Sequence, residues 1–487
     1  MITDKYVESP CNAILGIAQK FILSRVLMMF AALNLGNILG KGTITLEELS
    51  TKLNAHPLAL KRFLRLLTAH HIIKDLGDNK YTSTAISHYF NELLGANLID
   101  DYNGLDEALD ALKTNEKPLS ELFQNSLYKY LNQYIASGET PGSDLVQIAH
   151  EFILAKTVMS ASELKLGVLL NKKPLSLENI AANTGVSTRI LHPYLKILST
   201  HGIIEEIAPQ VYQSTSISDC FDRVLTPHIL KGYKAFNGAL HTLQTNSGAW
   251  SHIFGQSFYE YLNQHHDQLQ MFKEWCFQSA IDWLPPILSM CYFPKAKTLV
   301  DVGGGSGHFV ASILEQNPHM DAILFDQPSV IDGVDKSELF KILKSRTRFT
   351  GGDFFKTIPS GGDIYTICRT LLNWNDEQSI QIINNCHSAM KSDAKLWIID
   401  FIVPPADHPK YPRAVINDIS LFVLFNSAIR TEQEWRVLMS KTLFSVSNIF
   451  ITQSGVEPEP FYPMCIIEAE MRSDNESKNT EDSMLKI

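Results

Sequence analysis

Along the first half of the chain the apolar positions recur at helical spacing. The stretch "FILSRVLMMFAALNLGNILG" (21–40) is nearly unbroken apolar sequence, interrupted by Arg25 and Asn34. Those interruptions predict a buried amphipathic helix and not a membrane span. Next comes "TLEELSTKLN" (45–54), where Thr45 is placed to cap a helix start. "LKRFLRLLTAHHI" (60–72) then sets Leu, Ile and Phe three and four apart, and a short strand pair around Lys80–Ser83 closes the unit. Three helices and a small β-wing make a winged helix.

The same pattern then returns. A shift of 131 residues lays "IAQKFIL" (17–23) on "IAHEFIL" (148–154) without a gap. It also lays "LRLLTAHHII" (64–73) on "LKILSTHGII" (195–204), and "LFQNSLYKYLNQ" (122–133) on "IFGQSFYEYLNQ" (253–264). In the second copy Ser176 stands where Thr45 caps the first. One register held over this distance marks a duplicated module. We therefore expect a first winged-helix module over 1–135 and a second, of dimerisation type, over 136–265. Winged helices often bind DNA, but no basic recognition face stands out. Lys61, Arg62 and Arg65 cluster in copy one, whereas copy two keeps Lys196 and has His192 and Pro193 nearby.

From about Thr298 the pattern changes to alternating strand and helix. "TLVDV", "DAILFD", "RFTGGDFF", "DIYTIC" and "KLWIIDFIV" predict strands, and "HFVASILEQ" and residues 375–390 predict helices, the latter capped by Asn375 and Gln378. The alternation implies an α/β domain over 266–471, a Rossmann-like doubly wound sheet that binds ligands at its strand C-termini. The first strand runs into Asp301-Val302-Gly303-Gly304-Gly305-Ser306-Gly307, and Asp326 ends the second. A glycine loop between strand and helix, with an acid closing the next strand, points to nucleoside binding, although His308 stands where a dinucleotide fingerprint has its third glycine.

Composition narrows the class of partner. The 487 residues are 45% hydrophobic with a net charge of −10, which argues against nucleic acid or an anionic membrane as partner. Seven cysteines include no CxxC pair, so free buried thiols in a reduced, cytoplasmic setting are expected, with no metal. The opening "MITDKYVESP" does not read as a signal peptide, and the polar stretch 472–487 reads as a disordered tail.

Five blocks in order, "LVDVGGGSGHF", "LFDQPSVI", "GGDFFKTIP", "RTLLNWNDEQ" and "WIIDFIVPP", resemble the S-adenosylmethionine-dependent O-methyltransferases of small-molecule metabolism. These include plant phenolic, acetylserotonin and bacterial polyketide enzymes. The resemblance runs from about residue 140 to 470 and implies a class I methyltransferase fold with S-adenosyl-L-methionine as cofactor. It implies that Asp301, Gly303, Gly304, Gly305 and Gly307 hold the methionine portion, and that Asp326 binds the ribose. Asp353 and Phe354 would frame the adenine, Arg369 would lie near the cofactor, and Phe277 and Ile281 would line the acceptor pocket. It also implies a homodimer, and the duplication adds the alternative of an intramolecular pseudo-dimer of the two winged-helix copies.

The chain departs from the family at the catalytic position. Where relatives read approximately L-H-D-W-N-D-E with a histidine base, this chain has Leu372 and Asn373, and Ile429 replaces a later glutamate. Asp400 alone keeps an acid there, as a weak base or as the polar end of a buried strand. His308 and His387 are further candidates, the latter more simply packed. The expected function is an O-methyltransferase-like protein acting on a small-molecule metabolite without the usual histidine. Alternatives are a cofactor-dependent pericyclase or hydroxylase, and a non-catalytic regulator or partner subunit.

Overall fold

The N-terminal apolar run forms one long helix, α1 (Pro10–Ala32), in a computed structural model that describes residues 10–40, 42–88, 151, 154–291, 293, 295–332, 334, 337–452 and 462–472. The boundary at 135/136, "LFQNSLYKYLNQ" and the tail beyond residue 472 lie outside the described residues. The chain divides into two compact units, Met1–Met271 and Phe272–Ile487. Helix α1 is long and apolar enough to cross a membrane by length and composition, and 61% of that window is buried in the structure. Its buried apolar residues Ile14, Ala18, Phe21, Ile22, Val26, Leu27 and Phe30 spread around most of the circumference, broken by Gln19, Lys20, Ser24 and Arg25, so the expected single amphipathic face is replaced by enclosure on several sides.

Within unit 1 the same set of elements occurs twice. The first holds α2 (Leu35–Leu39), β1 (Thr43–Thr45), α3 (Leu46–Leu53), α4 (Pro57–Ala69), β2 (Ile73–Asp75) and β3 (Lys80–Ser83). The second holds α5 (Leu166–Asn171), β4 (Leu175–Ser176), α6 (Leu177–Thr184), α7 (Thr188–Thr200), β5 (Ile204–Ala208) and β6 (Val211–Ser214). Both form antiparallel three-stranded sheets of matching order, β1-β3-β2 and β4-β6-β5. The local chemistry repeats too. Thr45 accepts from the Glu48 amide at 3.2 Å and Ser176 from the Asn179 amide at 3.3 Å, each capping its helix. Thr84 donates to the Ile72 carbonyl at 2.8 Å and Thr215 to the Ile203 carbonyl at 2.6 Å, tying the end of the sheet to the end of the preceding helix.

Unit 2 is built on an eight-stranded sheet. Its strands are β7 (Thr298–Val302), β8 (Asp321–Asp326), β9 (Thr347–Gly351), β10 (Ile364–Cys368), β11 (Lys395–Val403), β12 (Arg430–Thr431), β13 (Phe444–Ile451) and β14 (Met464–Met471). The order is β13-β14-β11-β10-β7-β8-β9, with β12 on the end of β11. Pairing is parallel except at β14, which runs antiparallel to β11 and β13. From β7 the chain proceeds to β8 and β9 on one side, then crosses to β10 and β11 on the other. The switch point therefore lies between β7 and β10, where a doubly wound sheet opens a crevice. β10 is buried at every residue and β11 at all but its first, which is why both read as continuous apolar runs.

Three details differ from the sequence reading. The strand expected over "RFTGGDFF" stops at Gly351, which pairs with Asp326 at the end of β8, so β9 has no strand partner beyond that point. The β13–β14 pair was not anticipated. Cys220 is disulfide-bonded, against the expectation of free thiols, whereas Cys276, Cys291, Cys368, Cys386 and Cys465 are free.

Candidate active site

The crevice between β7 and β10 is closed at its base by backbone and small side chains. Gly303 has φ 74°, and its amide donates to the Phe325 carbonyl at 2.8 Å. A Cβ there would sit 2.7 Å from Thr370 Oγ1, and one at Gly304 would sit 2.3 Å from Leu324 and 2.5 Å from Asp301 Oδ2. The loop thus requires glycine where the chain passes closest to its neighbours. Asp301 is buried. Its Oδ1 accepts from Thr366 Oγ1 at 2.6 Å, and its Oδ2 has no hydrogen-bond partner among the described residues. Burial pushes the Asp301 carboxyl up to about 7; the Thr366 hydroxyl opposes this and the charge of Asp326 adds to it. Asp326 accepts from the Gly305 amide at 2.8 Å and the Gln327 amide at 2.6 Å. Burial raises its carboxyl as well, against the pull of those amides and of Lys273.

On the other side of the switch point, Arg369 follows β10 with φ 52°, an uncommon conformation for a side-chain-bearing residue. Its guanidinium lies 4.6 Å from the Phe401 ring centroid and 5.3 Å from that of Trp283, which belongs to the helix α8 (His266–Met290). The chain then makes a short turn, Leu371–Asn373, before α9 (Asp376–Ala389). Asn375 and Gln378 cap α9 reciprocally, as their spacing predicts.

That turn is held by a frame of polar groups around an apolar centre. Asp400 Oδ2 accepts from the Leu372 amide at 2.9 Å, and its Oδ1 accepts from the Phe401 amide at 2.8 Å. Burial pushes the Asp400 carboxyl up to about 7, opposed by the Phe401 amide, Arg369, Arg430 and the Leu372 amide. Arg430, 2% exposed, donates to Asp376 Oδ1 at 2.8 and 2.9 Å, to the Trp374 carbonyl at 3.1 Å, to Ser379 Oγ at 3.1 Å and to the Leu371 carbonyl at 3.4 Å. The Ile429 amide donates to Asp418 Oδ1 at 3.0 Å. Within this frame Leu372 is 6% exposed and Ile429 1%.

The structure gathers Asp301, Gly303, Gly304, Gly305 and Asp326 at the ends of β7 and β8, and sets Arg369 just past the end of β10 and Asp400 within the neighbouring β11. Asp353 and Phe354 follow β9. Asp353 accepts from the Phe355 amide at 3.0 Å, and Phe354 is packed edge-on against Phe355 and Trp374. The side chains of Phe277 and Ile281 lie outside the described residues. His308 Nδ1 pairs with Ser306 Oγ at 2.8 Å, and His387 packs on Phe444 with centroids 5.5 Å apart. Arg430, Asp418, Thr366 and Thr370 escaped the sequence reading. The one available signal was that Arg430 directly follows the altered position Ile429.

Comparison with known proteins decides the family. A model of the O-methyltransferase domain matches residues 233–445, and one of the O-methyltransferase dimerisation domain matches twice, at 15–92 and 146–223. The chain belongs to the O-methyltransferase family. As a member of this family it is a methyltransferase, and its cofactor is S-adenosyl-L-methionine. The phenazine O-methyltransferase PhzM of Lysobacter antibioticus is 28% identical over 329 residues, covering 66% of this chain and 96% of its own. Phenazine-1-carboxylate N-methyltransferase of Pseudomonas aeruginosa is 26% identical over 316 residues, 63% of this chain and 92% of its own. The crystal structure of LaPhzM superposes with a TM-score of 0.59 at 27% identity, over 68% of this chain and 99% of its own. The crevice suits such a cofactor, because a buried carboxylate oxygen without a partner calls for a cationic donor and the glycine backbone leaves room for close approach.

Proposed function

We propose that this methyltransferase acts on a small-molecule acceptor whose nucleophilic atom is already ionised or unprotonated, such as a ring nitrogen, a carboxylate or an acidic enol. The carrying observation is the apolar centre of the frame. Leu372 and Ile429 stand buried where the family resemblance places a histidine and a glutamate, and both oxygens of Asp400 are engaged by backbone amides. In this reading Asp400 and Arg430 position the turn and take no proton from the acceptor.

The bound cofactor supplies an electrophilic methyl group on a positive sulfonium. Asp301 and the Gly303–Gly307 loop would hold its methionine portion and Asp326 its ribose, while Asp353 and Phe354 would frame the adenine and Arg369 would lie near it. The chain's own contribution is then orientation and exclusion of water. Orientation is worth roughly 7–11 kcal/mol, whereas a general base adds about 10²–10⁴-fold. Loss of the base therefore restricts the acceptor class more than it removes the reaction. Similarity to a relative named for N-methylation of a phenazine carboxylate supports an acceptor of this kind. The tandem N-terminal copies would be winged helices serving the dimerisation role.

The test is incubation with methyl-labelled cofactor and a panel of aromatic ring-nitrogen heterocycles, carboxylates, acidic enols and simple phenols near pH 7. Label is expected in the first three classes and at least a hundredfold less in simple phenols. Efficient labelling of simple phenols at that pH would overturn the reading. So would cofactor-dependent conversion without label.

A further inference from the structure

Inside unit 1 the two copies of the repeat touch at equivalent positions. Lys20 Nζ lies 2.6 Å from Glu151 Oε1, and the two residues occupy the same place in the repeat, 131 apart. Arg25 and Lys156 are equivalent by the same offset and lie about one ring. The Arg25 guanidinium is 5.8 Å and the Lys156 ammonium 4.7 Å from the Phe21 centroid. Residues that meet their own equivalents mark an approximate two-fold axis, as in an isologous dimer interface.

The surroundings are those of an interface core. Phe21 of α1 packs edge-on against Tyr233 at 5.7 Å and Phe236 at 6.5 Å, both in the later part of copy two. Arg25 donates to Asn237, and the His56 amide at the start of α4 donates to the Leu243 carbonyl at 2.8 Å. Copy one therefore buries its leading helix against elements belonging to copy two. LaPhzM is matched almost whole by 68% of this chain, which leaves length for the additional copy.

We infer that copy one takes copy two of its own chain as dimerisation partner, so that a single chain contains the complete paired module. Divergence at the axis favours this pairing. Copy one against copy one would oppose Lys20 to Lys20, and copy two against copy two would oppose Glu151 to Glu151, whereas the mixed pairing opposes lysine to glutamate. The side chains are 41% and 22% exposed, so the ion pair adds selectivity between pairings more than stability. The inference is independent of the methyl-transfer chemistry proposed above.

A carbodiimide, which joins a touching amine and carboxylate as an amide without a spacer, tests this on the unmodified full-length protein. Isotopically light and heavy protein are mixed, equilibrated and coupled, and the digest is read by mass spectrometry. The Lys196–Glu206 pair at 2.9 Å serves as the internal positive control. The expected product joins Lys20 to Glu151 with both peptides light or both heavy. Joined peptides of mixed label would show that the copies pair between chains and would overturn the inference. Coupling at Lys196–Glu206 with none at Lys20–Glu151 would overturn it as well.

Discussion

Asparagine at position 400 separates the two roles open to Asp400. The substitution keeps the side-chain volume but leaves one acceptor oxygen where two now serve the Leu372 and Phe401 amides. One of those buried N–H groups would face an NH₂, and an unsatisfied buried donor costs about 1–3 kcal/mol. A second effect opposes this. Burial holds the Asp400 carboxyl up at about 7, so its ionised form is a load on the folded state that asparagine removes. A carboxyl raised in this way contributes stability below its unfolded value of about 3.9 and loses it as pH rises through 7. Asp400→Asn should therefore destabilise most near pH 5 and less at pH 8, as read by urea denaturation at both. With the turn displaced, methyl transfer should fall roughly tenfold to a hundredfold while its pH profile keeps its shape. If the variant is as stable as the parent at both pH values yet loses transfer 10²–10⁴-fold, Asp400 is a base and the reasoning fails.

Three further outcomes follow from the same geometry. Gly304→Ala sets a Cβ against Leu324 and Asp301 Oδ2, so calorimetry should find cofactor affinity lowered at least tenfold, with a stability loss of about 1–3 kcal/mol. Asp301 must ionise to meet a cationic ligand and burial pushes it up to about 7, so affinity should strengthen from pH 6 to pH 8 with proton release at the lower value; Asp301→Asn should flatten that dependence. Arg430→Met strands the Leu371 and Trp374 carbonyls and should cost about 2–4 kcal/mol in denaturation. That figure is discounted because Asp376 is 62% exposed, and lysine should not rescue because it lacks the planar fork.

Much of this fold was legible because its signals are local. Strands buried on both faces appear as apolar runs, glycines mark the close approach at residues 303–304, and capping pairs such as Asn375–Gln378 sit three apart. The repeat was legible because both copies bury the same positions. The β13–β14 pair was harder. β13 alternates with a register shift between Val446 and Asn448, and much of its surface is exposed, so its apolar period is broken. The frame around Leu372 was hardest to read. Arg430 reaches partners 54 and 59 residues earlier in the chain, and a lone basic residue in a two-residue strand carries no periodic signal. The altered positions Leu372 and Ile429 were visible by resemblance. That Asp400 gives both its oxygens to amides is a fact of three-dimensional placement only.

The most direct test of transfer without a side-chain base is the pH dependence of kcat/KM, at S-adenosyl-L-methionine concentrations that saturate at every pH, for two acceptors of well-separated pKa. The account expects each profile to rise tenfold per pH unit and to level at the acceptor's own pKa, so that the two breaks stand apart. A common break for both acceptors, set by the protein, would contradict it.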